Sequence, residues 1–168
     1  MKTNQMRKGL MLLVAGLFIS VAGFAQQSPK AEAKGKIGGA NVTIKYSSPF
    51  VKGRKIWGEL VPYGKVWRAG ADNATTFETD KAITVEGKTL AAGKYGFFVI
   101  PAEGEWTVIF NSVPDQWGAF KYDQSKDVLR VNVKPKKAAS SAESLAYHVS
   151  DKGFDLAWEN VVVPVSVK

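Results

Sequence analysis

The sequence contains no cysteine and a single histidine among its 168 residues. Without cysteine the protein can form no disulfide, thiolate metal site or cysteine nucleophile. The lone His148 would have to be the base of any Ser-His-Asp triad, yet no G-x-S-x-G motif accompanies it, and a zinc site would need three carboxylates besides it. A glycine-rich phosphate loop is absent as well. We therefore expect no catalytic residue, no metal and no cofactor.

Calcium takes oxygen ligands that loops can gather without a motif, but the sequence has no D-x-D-x-D-G loop. Carboxylate pairs at strand spacing, Glu78 with Asp80 and Glu103 with Glu105, do not define the opposed pair of a glycosidase, and the second pair flanks a turn. Side chains whose oxygens could be ligands of calcium are Asp72, Asn73, Asp115, Asp123 and Asp127.

Helical periodicity is missing too, because no window of about 11 residues repeats apolar positions at helical spacing. Short alternating runs such as "NVTIKY", "EWTVIFN", "DVLRVNV" and "FDLAWEN" stand between turn residues instead. The run "YGFFVIP" is apolar throughout and predicts a strand buried on both faces, with Tyr95 placed to form a tyrosine corner. We predict an all-β, single-domain antiparallel β-sandwich, jelly-roll or immunoglobulin-like, of about eight or nine strands.

From about residue 47 to residue 75 the sequence shows neither helical spacing nor strand alternation. Glycine, proline, tryptophan and aliphatic residues are interspersed there. Structureless loops of this length are uncommon in compact domains and are usually functional or disordered. The high apolar content argues against disorder. We therefore predict a long, ordered, irregular excursion that is rich in aromatic residues.

The N-terminus is basic, continues through the apolar run "GLMLLVAGLFISVAG" and reaches small residues before Gln26. This pattern is typical of a secretory signal peptide. We predict cleavage after Ala25, a flexible leader over residues 26–36 and one domain over residues 37–168. The protein is then exported to the periplasm, with secretion as the second choice, and keeps no membrane span after cleavage.

The chain has 23 basic and 15 acidic residues and a formal net charge of +8, but three of the basic residues belong to the signal peptide. The lysines are scattered along the chain, and nothing resembles the basic face that nucleic-acid binding requires. We expect no nucleic-acid partner, and the oligomeric state stays open.

The phrases "SSPFVKGRKIWGELVPYGKVWRAGADNATTFETD", "LAAGKYGFFVIP", "QWGAFKYDQSKDVLRV" and "LAWEN" follow one another at characteristic spacing. In their order and spacing the chain resembles, over about residues 35–167, an exported bacterial family catalogued as domain of unknown function 2911. The resemblance implies a single exported domain, commonly from Gram-negative bacteria of the Bacteroidota type, and brings no established activity. Ala69, Asp72 and Asn73 replace the threonine, asparagine and glutamate usual in that family, which argues against a strict catalytic role for these positions.

Two hypotheses address the polar residues of the excursion. In the first they form a structural polar knot that satisfies an irregular backbone, and Arg68 is tied to an acidic or carbonyl partner. We predict this outcome for Arg68, while Trp106 and Trp158 lie in the core. The knot would consist of Arg54, Arg68, Asp72, Asn73 and Thr75.

In the second hypothesis some of the same residues hold a ligand, because sugars present apolar faces that stack on aromatic rings and Arg68 could face an anionic group. A non-catalytic binding module for a small or saccharide-like ligand is thus the leading interpretation. An envelope glycan or ester hydrolase and a purely structural envelope protein are the alternatives. The ligand-binding residues would be Arg68, Asn73, Trp117, Trp57 and Trp67.

Overall fold

The structure is a computed structural model that describes residues 27–168. It is all-β, as the sequence predicts, with a single short 3₁₀ turn at Gln124–Lys126 in this part of the chain. The strands, in chain order, are β1 (Lys30–Ile37), β2 (Ala40–Ser47), β3 (Thr75–Thr79), β4 (Ile83–Val85), β5 (Lys88–Leu90), β6 (Gly93–Ile100), β7 (Trp106–Asn111), β8 (Asp127–Val133), β9 (Lys136–Ser150) and β10 (Gly153–Ser166).

Six strands form one antiparallel sheet in the order β1-β2-β3-β6-β7-β8. Strand β6 lies between β3 and β7, and its five residues from Tyr95 to Val99 are all buried, which confirms the doubly buried strand. The hydroxyl of Tyr95 donates to the carbonyl of Ala91 at 2.8 Å, so the predicted tyrosine corner is also confirmed.

The second layer is the long antiparallel hairpin of β9 and β10. Aromatic rings join the layers, because Phe154 of the hairpin lies 5.2 Å from Phe77 and 5.6 Å from Phe97 of the six-stranded sheet. The small hairpin β4–β5 closes one end, where the backbones of Thr84 and Lys168 exchange hydrogen bonds. The architecture is an antiparallel sandwich around one main core.

The prediction of a flexible leader over residues 26–36 is wrong for the residues in β1, which pairs with β2 along its whole length. Alanine and glycine alternate with charged residues in this strand and gave no apolar signal. Small residues are needed there because β9 passes close: a Cβ added to Gly35 would lie 2.6 Å from Val149 Cγ1.

The late alternating runs also merge into fewer and longer strands than the sequence suggests. β10 continues from "FDLAWEN" into "VVVPVSV", with register irregularities on both sides of Glu159, whose φ is 54°. A bulge interrupts side-chain alternation without ending the strand, so it reads as a boundary in sequence.

The predicted signal peptide, residues 1–25, lies outside the described residues. In residues 27–168 no helix has the length and apolar character to cross a membrane.

The excursion of residues 48–74 is ordered around a cluster of four tryptophans. The ring of Trp57 lies 5.6 Å from Trp67, 4.8 Å from Trp106 and 5.8 Å from Trp158, and all four side chains are buried. The core positions predicted for Trp106 and Trp158 are confirmed. The excursion is therefore fastened to the sandwich by aromatic packing.

Candidate functional site

The end of the excursion meets a second loop, residues 112–126, through backbone hydrogen bonds. Ala74 N–H donates to the Gln116 carbonyl at 2.9 Å, and Gly118 N–H donates to the Asp72 carbonyl at 3.0 Å. These bonds flank a bridge between Asn73 and Trp117. The structure therefore brings together two of the residues that the sequence proposes for a ligand.

A polar network at its base holds the 112–126 loop. Asp127 accepts hydrogen bonds from Asn111 Nδ2 at 2.9 Å, Tyr122 Oη at 2.5 Å and Arg130 Nε at 2.6 Å, and its side chain is only 7% exposed. Burial, followed by the bond to Asp127, raises the pKa of Tyr122. Asp127 is thus a structural anchor in this network, with its oxygens already bonded to protein donors.

Beside the bridge lies an open groove with a volume of about 740 Å³, within the range of ligand sites. We call it the Trp117 groove. Trp117 is 62% exposed, which is unusual for so large an apolar side chain in a fold that buries the other four tryptophans. The groove is lined by Lys30, Ala31, Glu32, Lys45, Tyr46, Ser47, Asn73, Ala74, Thr76, Lys94, Pro114, Asp115, Gln116 and Trp117.

The charges of the Trp117 groove are mostly compensated within it. Glu32 lies 3.6 Å from Lys45, and Asp115 lies 3.4 Å from Lys94. A hydrogen bond from neighbouring Lys34, together with the charges of Lys34 and Lys45, lowers the pKa of Glu32. The groove therefore presents polar groups without a strong field of one sign.

One polar atom of the groove lacks a partner. Gln116 Nε2 donates to the Val113 carbonyl at 2.7 Å, which fixes the amide orientation. Its Oε1 is buried and accepts no hydrogen bond from any described residue. Sequence reasoning missed Gln116, because a glutamine next to an aromatic residue carries no signal of its own.

Arg68 lies elsewhere, in a smaller pocket of about 270 Å³ that we call the Arg68 pocket. Its Nε is buried without a hydrogen-bond partner in residues 27–168, and none of the salt bridges of these residues includes it. Burial lowers the pKa of Arg68, and the charge of Asp72 partly opposes this shift. Among the described residues, no acid or carbonyl bonds to Arg68 Nε, so the predicted structural tie of this side chain stays a prediction.

The five predicted ligand residues therefore do not form one site. Asn73 and Trp117 line the groove, while Arg68 and Trp67 line the Arg68 pocket. Trp57 is 6% exposed and packs inside the tryptophan cluster. Two polar residues can be close in sequence and still face different surfaces, because the chain turns sharply between them: Ala69 and Asp72 both have positive φ.

Two residues of the predicted polar knot, Thr75 and Arg54, bond to different parts of the backbone. Thr75 Oγ1 donates to the Ala69 carbonyl at 2.9 Å. Arg54 donates to the carbonyls of Val51 and Phe50 within its own turn. Tyr147, which sequence reasoning missed, also donates to Ala69 at 2.6 Å, across 78 residues of sequence.

His148 has a carboxylate beside it, since its Nδ1 lies 2.7 Å from Asp155 Oδ1 on the neighbouring strand. Ser150 shares its strand, but the Ser150 hydroxyl bonds to Gly153 and Lys152 instead. His148 is exposed on the hairpin and Asp155 partly so, and Ser150 does not bond to this pair. Within residues 27–168 no group of three or more His, Asp or Glu side chains could hold a metal ion.

Comparison with known proteins yields one family. The family described as "Protein of unknown function (DUF2911)" matches residues 28–167. No curated protein and no solved structure matches the chain.

Proposed function

The chain belongs to this DUF2911 family, and we propose that it is a non-catalytic binding module for a small, saccharide-like ligand in the periplasm. The observation that carries the proposal is Trp117, a 62% exposed tryptophan at the wall of a polar groove. The indole offers a flat apolar surface on which the apolar face of a sugar ring stacks. The polar rim supplies donors and acceptors for the hydroxyls.

The charge arrangement supports a neutral polar ligand. Because the acidic residues of the groove already face lysines, an ionic ligand gains little that the protein does not already supply. The orphaned Gln116 Oε1 needs a donor, and a sugar hydroxyl is one. Asn73, held beside Trp117 by the backbone bridge, offers both donor and acceptor atoms.

The periplasmic location rests on the N-terminal sequence pattern. Mass spectrometry of the protein from its native host tests it, with Gln26 expected as the mature N-terminus. An intact Met1 in a soluble cytoplasmic fraction would contradict this location.

The binding proposal is tested by titrating the protein with chitotriose, cellotriose and maltotriose and following tryptophan emission. We expect saturable binding of at least one trisaccharide with a blue shift, because stacking removes Trp117 from water. The variant Trp117→Ala should weaken binding at least tenfold, and Gln116→Ala should weaken it several-fold.

Phe120→Ala is the matched control. Phe120 is 87% exposed on the same loop but does not line the groove, so its removal should leave the affinity unchanged. Absence of saturable binding by all three sugars would contradict the proposal, as would equal losses in the two aromatic variants. Release of shortened glycans or of acid from an ester would instead favour the hydrolase alternative. Loss of envelope integrity on deletion, without any ligand, would favour the structural one.

A further inference from the structure

The Arg68 pocket differs in charge from the Trp117 groove. Its charged lining residues are Lys52, Arg54 and Arg68, and no aspartate or glutamate lines it. The two cavities have no lining residue in common. Two carboxylates outside the lining act on its residues: Asp72 acts on Arg68 through its charge, and Glu143 accepts the backbone N–H of Lys52 at 2.9 Å.

Hydrogen-bond donors without partners collect at this pocket. Arg68 Nε and Trp158 Nε1 are buried and unpartnered among the described residues, and both residues line it. A third unpartnered donor, Trp57 Nε1, belongs to a ring 5.8 Å from that of Trp158. A buried donor without an acceptor is destabilising, so the two donors of this lining favour an acceptor from outside the chain.

One of the three cations, Arg54, is held in place by the local fold. Arg54 Nε and Nη2 donate to the carbonyls of Val51 and Phe50, which fixes the guanidinium at the pocket. The ammonium of Lys52 lies 6.0 Å from the centroid of the Phe50 ring. A site with one cation already positioned loses less side-chain entropy when a ligand arrives.

Apart from Ser28, the uncharged side chains of the wall are apolar. Phe50, Leu60, Val61, Trp67 and Trp158 line it, and its volume of about 270 Å³ suits a small molecule. An inorganic ion would leave this apolar surface unused. A carboxylate with a compact apolar body would use both parts of the wall, because a planar guanidinium binds the carboxylate while the aromatic and aliphatic side chains bury the body.

We propose that the Arg68 pocket is a second binding site, separate from the Trp117 groove, and that it takes a small organic carboxylate with an apolar body. Arg68 binds the carboxylate and Lys52 adds to the attraction. Phe50 and Leu60 contact the apolar body. The site does not depend on saccharide binding, so either proposal can fail alone.

The test uses sodium phenylacetate and phenylacetamide, which share a shape and differ in charge. Both are titrated into the Trp117→Phe variant, so that the emission change comes from the buried tryptophan cluster. We expect phenylacetate to bind at least tenfold more tightly than phenylacetamide. Arg68→Gln should remove this preference, leaving the two affinities within about threefold of each other.

Lys121→Gln is the matched control, since it removes one positive charge from an exposed residue outside the pocket and should change nothing. Lys52→Gln is the second variant if Arg68→Gln does not fold, and it should weaken phenylacetate several-fold without changing phenylacetamide. Equal binding of the two probes, or no saturable phenylacetate binding up to about 20 mM, would overturn the proposal. Tighter binding of inorganic phosphate than of phenylacetate would overturn the assignment to an apolar carboxylate.

Discussion

The carbonyl of Ala69 offers a quantitative test of how the excursion is held to the sandwich. It accepts two side-chain hydrogen bonds, from Tyr147 Oη at 2.6 Å and from Thr75 Oγ1 at 2.9 Å. Ala69 and Thr75 are fully buried, and Tyr147 is nearly so. Burial raises the pKa of Tyr147 well above its usual value, so its hydroxyl stays a protonated donor. The two donors join the hairpin and β3 to one point of the excursion.

Each single variant, Tyr147→Phe or Thr75→Val, removes one donor and leaves the carbonyl with the other. Each should therefore lower the free energy of unfolding by about 1 kcal/mol, the usual net value of one hydrogen bond. The double variant leaves a buried carbonyl with neither side-chain donor, which adds a desolvation cost of about 1–3 kcal/mol. We expect the double variant to lose about 1–2 kcal/mol more than the sum of the single variants.

Urea unfolding of the four proteins at equal m-value measures this coupling. The matched control combines Thr75→Val with Tyr95→Phe. The Tyr95 hydroxyl bonds to Ala91 and shares no acceptor with Thr75, so this pair should be additive within about 0.5 kcal/mol. Additivity of the Tyr147 and Thr75 variants would refute the argument, because it would show that the carbonyl of Ala69 finds another donor.

Three further predictions concern the hydrogen bonds of Tyr95, Asp127 and Asp80. Tyr95→Phe should lower the free energy of unfolding in urea by about 1 kcal/mol, because it removes the hydrogen bond to Ala91 that closes the tyrosine corner. An unchanged free energy of unfolding would contradict this. Asp127→Ala should cost about 2–3 kcal/mol, since it removes the shared acceptor of Asn111, Tyr122 and Arg130, and should weaken ligand binding at the groove. Hydrogen bonds from Asn41 lower the pKa of Asp80, so this contribution to stability is present above the unfolded pKa and is lost as pH falls through the folded one. Asn41→Ala removes the Nδ2 donor and keeps the backbone donor to Asp80. The melting temperatures of the wild type and this variant should therefore converge as the pH falls below about 4, and a constant difference down to pH 2 would contradict this.

The parts of the fold that could be predicted depend on neighbours close in sequence. The doubly buried β6 and the Tyr95 corner follow from the run "AAGKYGFFVIP", in which the acceptor of the hydroxyl lies four residues before its donor. Strand β1 could not be predicted in this way. Its inward residues are small because of β9, which comes more than a hundred residues later in the chain.

In the candidate site, too, some features follow from the local sequence and others depend on distant parts of the chain. Exposure of Trp117 is consistent with its place in a turn-rich loop, but Trp57 and Trp67 lie in a similar context and are buried. Their burial depends on Trp106 and Trp158, which come from distant strands. A sequence can therefore indicate an aromatic residue in a loop, while only the packing decides whether its ring faces solvent or the core.

The structure changes the loss of stability that we expect from Arg68→Ala. A guanidinium tied to a buried acid would make Arg68→Ala cost about 3–5 kcal/mol, because the acid would be left uncompensated. In residues 27–168 no acid or carbonyl bonds to Arg68 Nε. Replacing Arg68 therefore leaves no such group without a partner and removes a buried donor that lacks an acceptor. We therefore expect Arg68→Ala to lower the free energy of unfolding by less than about 1 kcal/mol. Urea unfolding at equal m-value measures the difference. A loss above about 3 kcal/mol would mean that the guanidinium has a structural partner. Arg68 would then not be available to bind a carboxylate in the Arg68 pocket.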